Sequence, residues 1–236
     1  MKTSITTLAA LSTCLTFSAM TQAASFVIDD FVVPPVGQTL IVNGAGLGSN
    51  TMTGLAGVVG GSRTMTVNVT NSEFSNSSTL EVTPASPGTL SFSNASGQNA
   101  IGTVLWDANG LGLGGVDLTN GGSLSHLQTK ILASDLNVGF RVDITETLAA
   151  GGSSAYFTAN LGAGASFVNQ LLSSFINAAN VDFTQVNSIL LTLTGPDAQD
   201  STLDLLEVTN TPVPEPASLA LIALGAVAML RRRHHA

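Results

Sequence analysis

The stretch Val138-Gly-Phe-Arg-Val-Asp-Ile-Thr145 alternates apolar and polar side chains with a period of two. Val138, Phe140, Val142 and Ile144 fall on one face, Arg141 and Asp143 on the other. That spacing predicts an antiparallel strand with one buried and one wetted face. Arg63-Thr-Met-Thr-Val-Asn-Val-Thr70 repeats the pattern, with Met65, Val67 and Val69 opposite hydroxyls and Asn68. Weaker strand candidates are Ser25–Val33, Thr79–Thr83, Thr89–Ser93, Ile101–Asp107, Ala155–Asn160, Ser188–Thr194 and Thr202–Val208. Turn formers such as Pro84-Ala-Ser-Pro87-Gly88, Asn109-Gly110, Asn120-Gly-Gly122 and Gly151-Gly152 separate many of them. Many short strands with such punctuation predict an all-β fold, an antiparallel β-sandwich or jelly roll. One segment departs from the pattern. Val168, Leu171, Leu172, Phe175 and Ile176 recur at helical spacing, which predicts either a short helix packed on the sandwich or a strand of irregular pattern, with the helix favoured.

Both ends of the chain read differently from this middle. Residues 1–24 combine Lys2, an apolar stretch from about Ile5 to Phe17 and small residues, the layout of a secretory signal peptide with cleavage after Ala23. This predicts export across the inner membrane, with the export machinery and signal peptidase as partners. Residues 25–209 are the sandwich ectodomain, and 210–216 a Pro-rich linker. Residues 217–236 hold an apolar run, Ala217 to Leu230, followed by Arg231, Arg232 and Arg233. As a helix, those apolar residues span ~21 Å, short of a ~30 Å hydrocarbon core. As a stable anchor the run is therefore marginal, with its arginines placed on the cytoplasmic side.

Composition excludes several functions. Between the two end segments only Arg63, Lys130 and Arg141 are basic, against 14 acids from Asp29 to Glu207. Nucleic acid is excluded as a partner, because binding it depends on cations that displace phosphate counterions. The single cysteine, Cys14, lies in the signal segment, so the ectodomain has no disulfide and no thiol chemistry. His126 is its one histidine, and no GxSxG, HExxH or phosphate-cradling glycine motif occurs. No catalytic residues are assigned, and the protein is read as not an enzyme. A secreted hydrolase working through acids on the sandwich is the second alternative.

One binding site is drawn from residue type. Trp106, beside Asp107 and Asn109, is the one place where an aromatic face and polar groups concentrate, as sugar recognition requires. Asp107-Ala-Asn109-Gly110 and Gly112-Leu-Gly-Gly-Val-Asp117 partly match calcium loops, whose hard cation favours clustered oxygens. Leu111 and Leu118 break the first match, and the second is a single unit of a motif that depends on repetition.

Val213-Pro-Glu-Pro-Ala-Ser-Leu219, the apolar run and the arginines, in that order, resemble a PEP-CTERM sorting signal. The resemblance implies that residues 217–236 are a short hydrophobic sorting helix inserted transiently in the inner membrane, and that Pro214, Glu215 and Pro216, with Arg231 to Arg233, direct processing by an exosortase. Delivery to the cell surface or extracellular matrix follows, in a context of exopolysaccharide and biofilm. More weakly, Ile28-Asp-Asp-Phe31, together with Val181–Ile189 and Thr202–Val208, resembles carbohydrate-binding jelly rolls with a galactose-binding-like sandwich. That resemblance implies a structural Ca2+ held by Asp29 or Asp30 with Asp204 or Glu207. The reading is thus an exported surface or matrix protein, with a calcium-supported module that binds extracellular polysaccharide as the first alternative.

Overall fold

The computed structural model describes residues 24–33, 37–73, 76–84 and 87–210. Thirteen strands follow one another: β1 Ser25–Asp29, β2 Gln38–Asn43, β3 Gly46–Thr53, β4 Ser62–Ser72, β5 Ser77–Thr83, β6 Thr89–Asn94, β7 Gln98–Trp106, β8 His126–Ser134, β9 Val138–Glu146, β10 Ser154–Leu161, β11 Ser166–Leu171, β12 Val186–Gly195 and β13 Asp200–Thr209. They form two antiparallel sheets. One runs β11-β8-β13-β6-β5-β2, with β1 paired to β13; the other runs β10-β9-β12-β7-β4-β3.

The alternation that predicted strands also sets which face is buried. In β9, Val138, Phe140, Val142 and Ile144 are buried while Gly139, Arg141, Asp143 and Thr145 look outward. Its neighbours keep that register, pairing Phe157 and Leu191 with Val142, and Ala159 and Leu193 with Phe140. Val67, Val104 and Leu191 of one sheet join Leu80, Phe92, Leu127 and Leu203 of the other in a single core. The sandwich is held by apolar burial of this kind, each such side chain contributing roughly 1.5–3 kcal/mol.

The expected helix is absent. Ser166–Leu171 is instead an edge strand, with Phe167 opposite Lys130 and Val168 opposite Thr129. Only Leu172–Ser174 makes a single 3-10 turn. Val168, Leu172 and Phe175 are buried, but Leu171 and Ile176 are 39% and 53% exposed. Unpaired backbone on β8 supplied the stronger demand, and a strand followed by a turn buries three of the five apolar residues.

Among the described residues no helix is long and apolar enough to cross a membrane. The signal segment with Ala23, the apolar run 217–230, the Pro214-Glu215-Pro216 step and Arg231 to Arg233 lie outside the described residues.

Candidate functional site

The sugar-site candidate Trp106 ends β7 and is fully buried. Its indole N–H donates to Asp29 Oδ2 at 2.9 Å. The same oxygen accepts from Arg63 Nη1 at 3.0 Å, and Asp29 Oδ1 accepts from the Phe31 amide at 2.8 Å. Arg63 also donates from Nε to Gln38 Oε1 at 3.0 Å and from Nη2 to the Val33 carbonyl at 2.5 Å. Its guanidinium also lies over the Phe31 ring at 5.7 Å. Asp29, Arg63 and Trp106 are all 0% exposed. Asp29 and Gln38 come from one sheet, Arg63 and Trp106 from the other, so the network ties the two sheets together. Burial pushes the Asp29 carboxyl up to about 6, against the opposing pull of Arg63 and of the Trp106 and Phe31 N–H groups. Trp106 thus presents no ring face on which a sugar could stack.

The other candidates are scattered. Asp107 and Asn109 sit in a tight turn after β7, with Asn109 at φ 58° and the Asp107 carbonyl accepting from Gly112 N–H at 2.7 Å. Asp117 caps its own turn, accepting from Thr119 N–H and hydroxyl and from Gly121 N–H; the Thr119 hydroxyl does most to hold it below the usual carboxylate range. Asp30 accepts from Val32 N–H at 3.1 Å. Asp204 and Glu207 line a small cleft of about 170 Å3 that also contains Lys130. The interior oxygens of Asp29 are committed to N–H donors, and a cation beside Asp204 would face Lys130. Among the described residues no three His, Cys, Asp or Glu side chains gather as a metal site. Asp29 is thus engaged with N–H donors, while Asp204 and Glu207 share their cleft with Lys130.

A different surface does assemble. The outward side chains of the six-stranded sheet align in rows. One row runs Ser49, Thr66, Thr103, Thr192, Arg141 and Thr158 across all six strands. At normal strand spacing that row is ~24 Å long. Ser49 and Thr66 hydroxyls are 3.3 Å apart, and Thr51 and Thr64 hydroxyls in the next row 2.9 Å.

At the β9–β10–β12 end the face sinks into a trough of about 650 Å3. Asn137, Thr158, Asn160, Thr192 and Thr194 line it, with Arg141 on one side and Asn99 and Pro196 also contributing. Gly139 lies at its middle, paired with Asn160 and Thr194. A glycine inside a strand often marks close approach of a ligand. A Cβ here would stand 3.3 Å from Thr194 Cβ, so any larger residue crowds the trough. Arg141 is neutralised by a bidentate pair with Asp143 at 2.7 and 2.5 Å and stacks 3.9 Å above Tyr156. The trough therefore offers hydroxyl and amide groups without net charge, and its lining holds no Asp or Glu for acid–base work. Residue-type reasoning missed it, since Asn137, Asn160 and the threonines are individually ordinary. The signal present in sequence was Gly139 on the polar side of the most regular strand.

Solved structures of similar architecture include a family 11 carbohydrate-binding module from Clostridium thermocellum in complex with a β-1,3-1,4-mixed-linked tetrasaccharide. It is 10% identical, with a TM-score of 0.42, and the match covers 79% of this chain and 96% of that one. A family 30 carbohydrate-binding module of a cellulosomal cellulase of Clostridium thermocellum is 12% identical, at a TM-score of 0.40 over 75% and 99%. Both stand below the level at which likeness specifies a ligand. No curated protein matches the chain significantly in sequence. Residues 212–233 match the PEP-CTERM protein-sorting motif, and carrying that motif implies an exported, exosortase-sorted protein delivered to the surface or the extracellular space.

Proposed function

We propose that the protein is a non-enzymatic component of the cell surface or biofilm matrix that holds neutral polysaccharide on the outer face of its six-stranded sheet. The trough around Gly139 is the observation that carries this reading. A shallow, uncharged groove of hydroxyls and amides can exchange hydrogen bonds with successive sugar hydroxyls. The ~24 Å row beside it is long enough for several sugar rings. Sorting to the outside supports this reading, since an exported face can meet extracellular polysaccharide. Tyr156, with Arg141 stacked on it, supplies a half-buried aromatic ring on the face.

The test is affinity electrophoresis of the wild-type protein in gels containing the host's own extracellular polysaccharide, a neutral glucan or a uronic-acid polymer. Neutral polymers should retard migration. Asn160→Ala and Thr192→Ala should each restore part of the mobility without changing the melting temperature. Equal mobility in all gels, or retardation untouched by both substitutions, would remove the proposal.

A further inference from the structure

A second cavity, of about 440 Å3, opens at the opposite sheet's β8–β13 end. It is mostly apolar, lined by Leu124, Leu171, Leu172, Ala178, Ala179 and Phe183 among others. Leu171 on its wall is 39% exposed, an apolar side chain left open to water. The volume is in the range of pockets that enclose a ligand or a short peptide.

What lies next to it is the end of β13. Thr209 pairs with His126, and its carbonyl accepts from the amide of Ser125, which also lines the cavity. The Ser125 carbonyl in turn accepts from Leu172 N–H at 2.8 Å. The described residues stop at Asn210. The chain then continues Thr211-Pro212-Val213-Pro214. Antiparallel pairing with β8 brings the last described residues of β13 beside Ser125, next to Leu124 of the cavity wall. Val213 is three residues beyond Asn210, within ~10 Å of extended chain.

We propose that this cavity receives the chain's own Pro212-Val213-Pro214 segment, holding the start of the Pro-Glu-Pro step against the folded body. The chemistry favours this occupant over an ordinary peptide. Pro212 and Pro214 carry no N–H, so burying them leaves two fewer donors without partners. Two of the cavity's hydroxyls are already engaged, Ser125 with His126 Nδ1 at 2.8 Å and Thr119 with Asp117 Oδ1 at 2.7 Å. Val213 is an apolar side chain of suitable size for a wall of leucine and alanine. Docking fixes the separation between the sandwich and the sorting motif, so that the processing enzyme meets the motif at the surface of the body.

The full chain can be tested by cross-linking, because its only cysteine is Cys14. In a Cys14→Ser background purified in detergent, Val213→Cys is combined with Ala179→Cys, or separately with Ser173→Cys. Both partner positions line the cavity and are exposed, so neither change removes core packing. The control combines Val213→Cys with Leu47→Cys, which is 72% exposed on β3 of the other sheet. A disulfide needs Cα atoms within ~7 Å. Under oxidised glutathione, at least one cavity pair should close intramolecularly tenfold faster than the control. Equal rates for all three pairs would overturn the proposal, and covalent dimers in place of the internal link would assign the cavity to a second copy of the chain.

Discussion

Acidification should strengthen the contribution of Asp29 to the fold, although the residue sits in an ion pair. Its carboxyl is 0% exposed, and burial raises its pKa from 3.8 to about 6 in spite of Arg63. A carboxyl whose folded pKa exceeds its unfolded value takes up a proton on folding. Its stabilising contribution is full below pH 3.8 and is lost as pH rises through about 6. The gap between the two values corresponds to ~3 kcal/mol. Denaturant unfolding from pH 7.5 to 4, read by the fluorescence of Trp106, the sole tryptophan, would measure this in wild type and in Asp29→Asn. The Asn variant cannot titrate, so other acids cancel in the difference, and the constant cost of the altered pair with Arg63 drops out of its slope. Wild type should gain up to ~3 kcal/mol relative to Asp29→Asn between pH 7 and pH 4. Parallel curves, or wild type losing ground on acidification, would show that Arg63 outweighs burial and that the carboxyl titrates at or below its ordinary value.

Three further outcomes are expected from the same packing. Trp106→Phe removes one of the three N–H donors to Asp29 and should cost ~1–3 kcal/mol in chemical denaturation, while polysaccharide retardation stays intact. Gly88→Ala would place a Cβ 2.3 Å from the Phe31 carbonyl carbon, an overlap with backbone that should cost at least ~2 kcal/mol and lower the melting temperature. Millimolar Ca2+, followed by EDTA, should leave the melting temperature unchanged, because the oxygens of Asp29 already accept from N–H donors and Asp204 and Glu207 lie beside Lys130; a reversible rise on adding Ca2+ would show that these acids hold the cation.

The sandwich was legible where the alternation was strict. Strands β4 and β9 appear within a residue or two of their expected bounds, because each position has one environment and the residue matches it. Strands β2, β3, β8 and β11 carried no such pattern. β3 exposes alternate residues at a sheet edge and contains two glycines, so its apolar content is low. In β8, Leu127, Gln128 and Thr129 are buried in succession, because register shifts against β13 break the period. The Val168–Ile176 spacing misled for a similar reason, since an edge strand and a turn can mimic helical periodicity. Trp106 illustrates the limit for sites. A lone tryptophan among polar neighbours reads equally as a ligand platform or as a core residue whose N–H has found a carboxylate. Only the fold shows that Asp29, 77 residues earlier, is that carboxylate. The trough was invisible for the opposite reason, as its chemistry comes from common residues aligned by pairing across strands.

The proposed role of the sheet face is tested most directly by mapping where polysaccharide touches the protein. Oligosaccharides released from the host's extracellular polysaccharide would be titrated into isotopically labelled protein and amide shifts followed by NMR. The account predicts shifts concentrated at Gly139, Asn160, Thr192 and Thr194, and lost in Gly139→Leu, which fills the trough. Shifts concentrated elsewhere, or binding that survives Gly139→Leu unchanged, would contradict it.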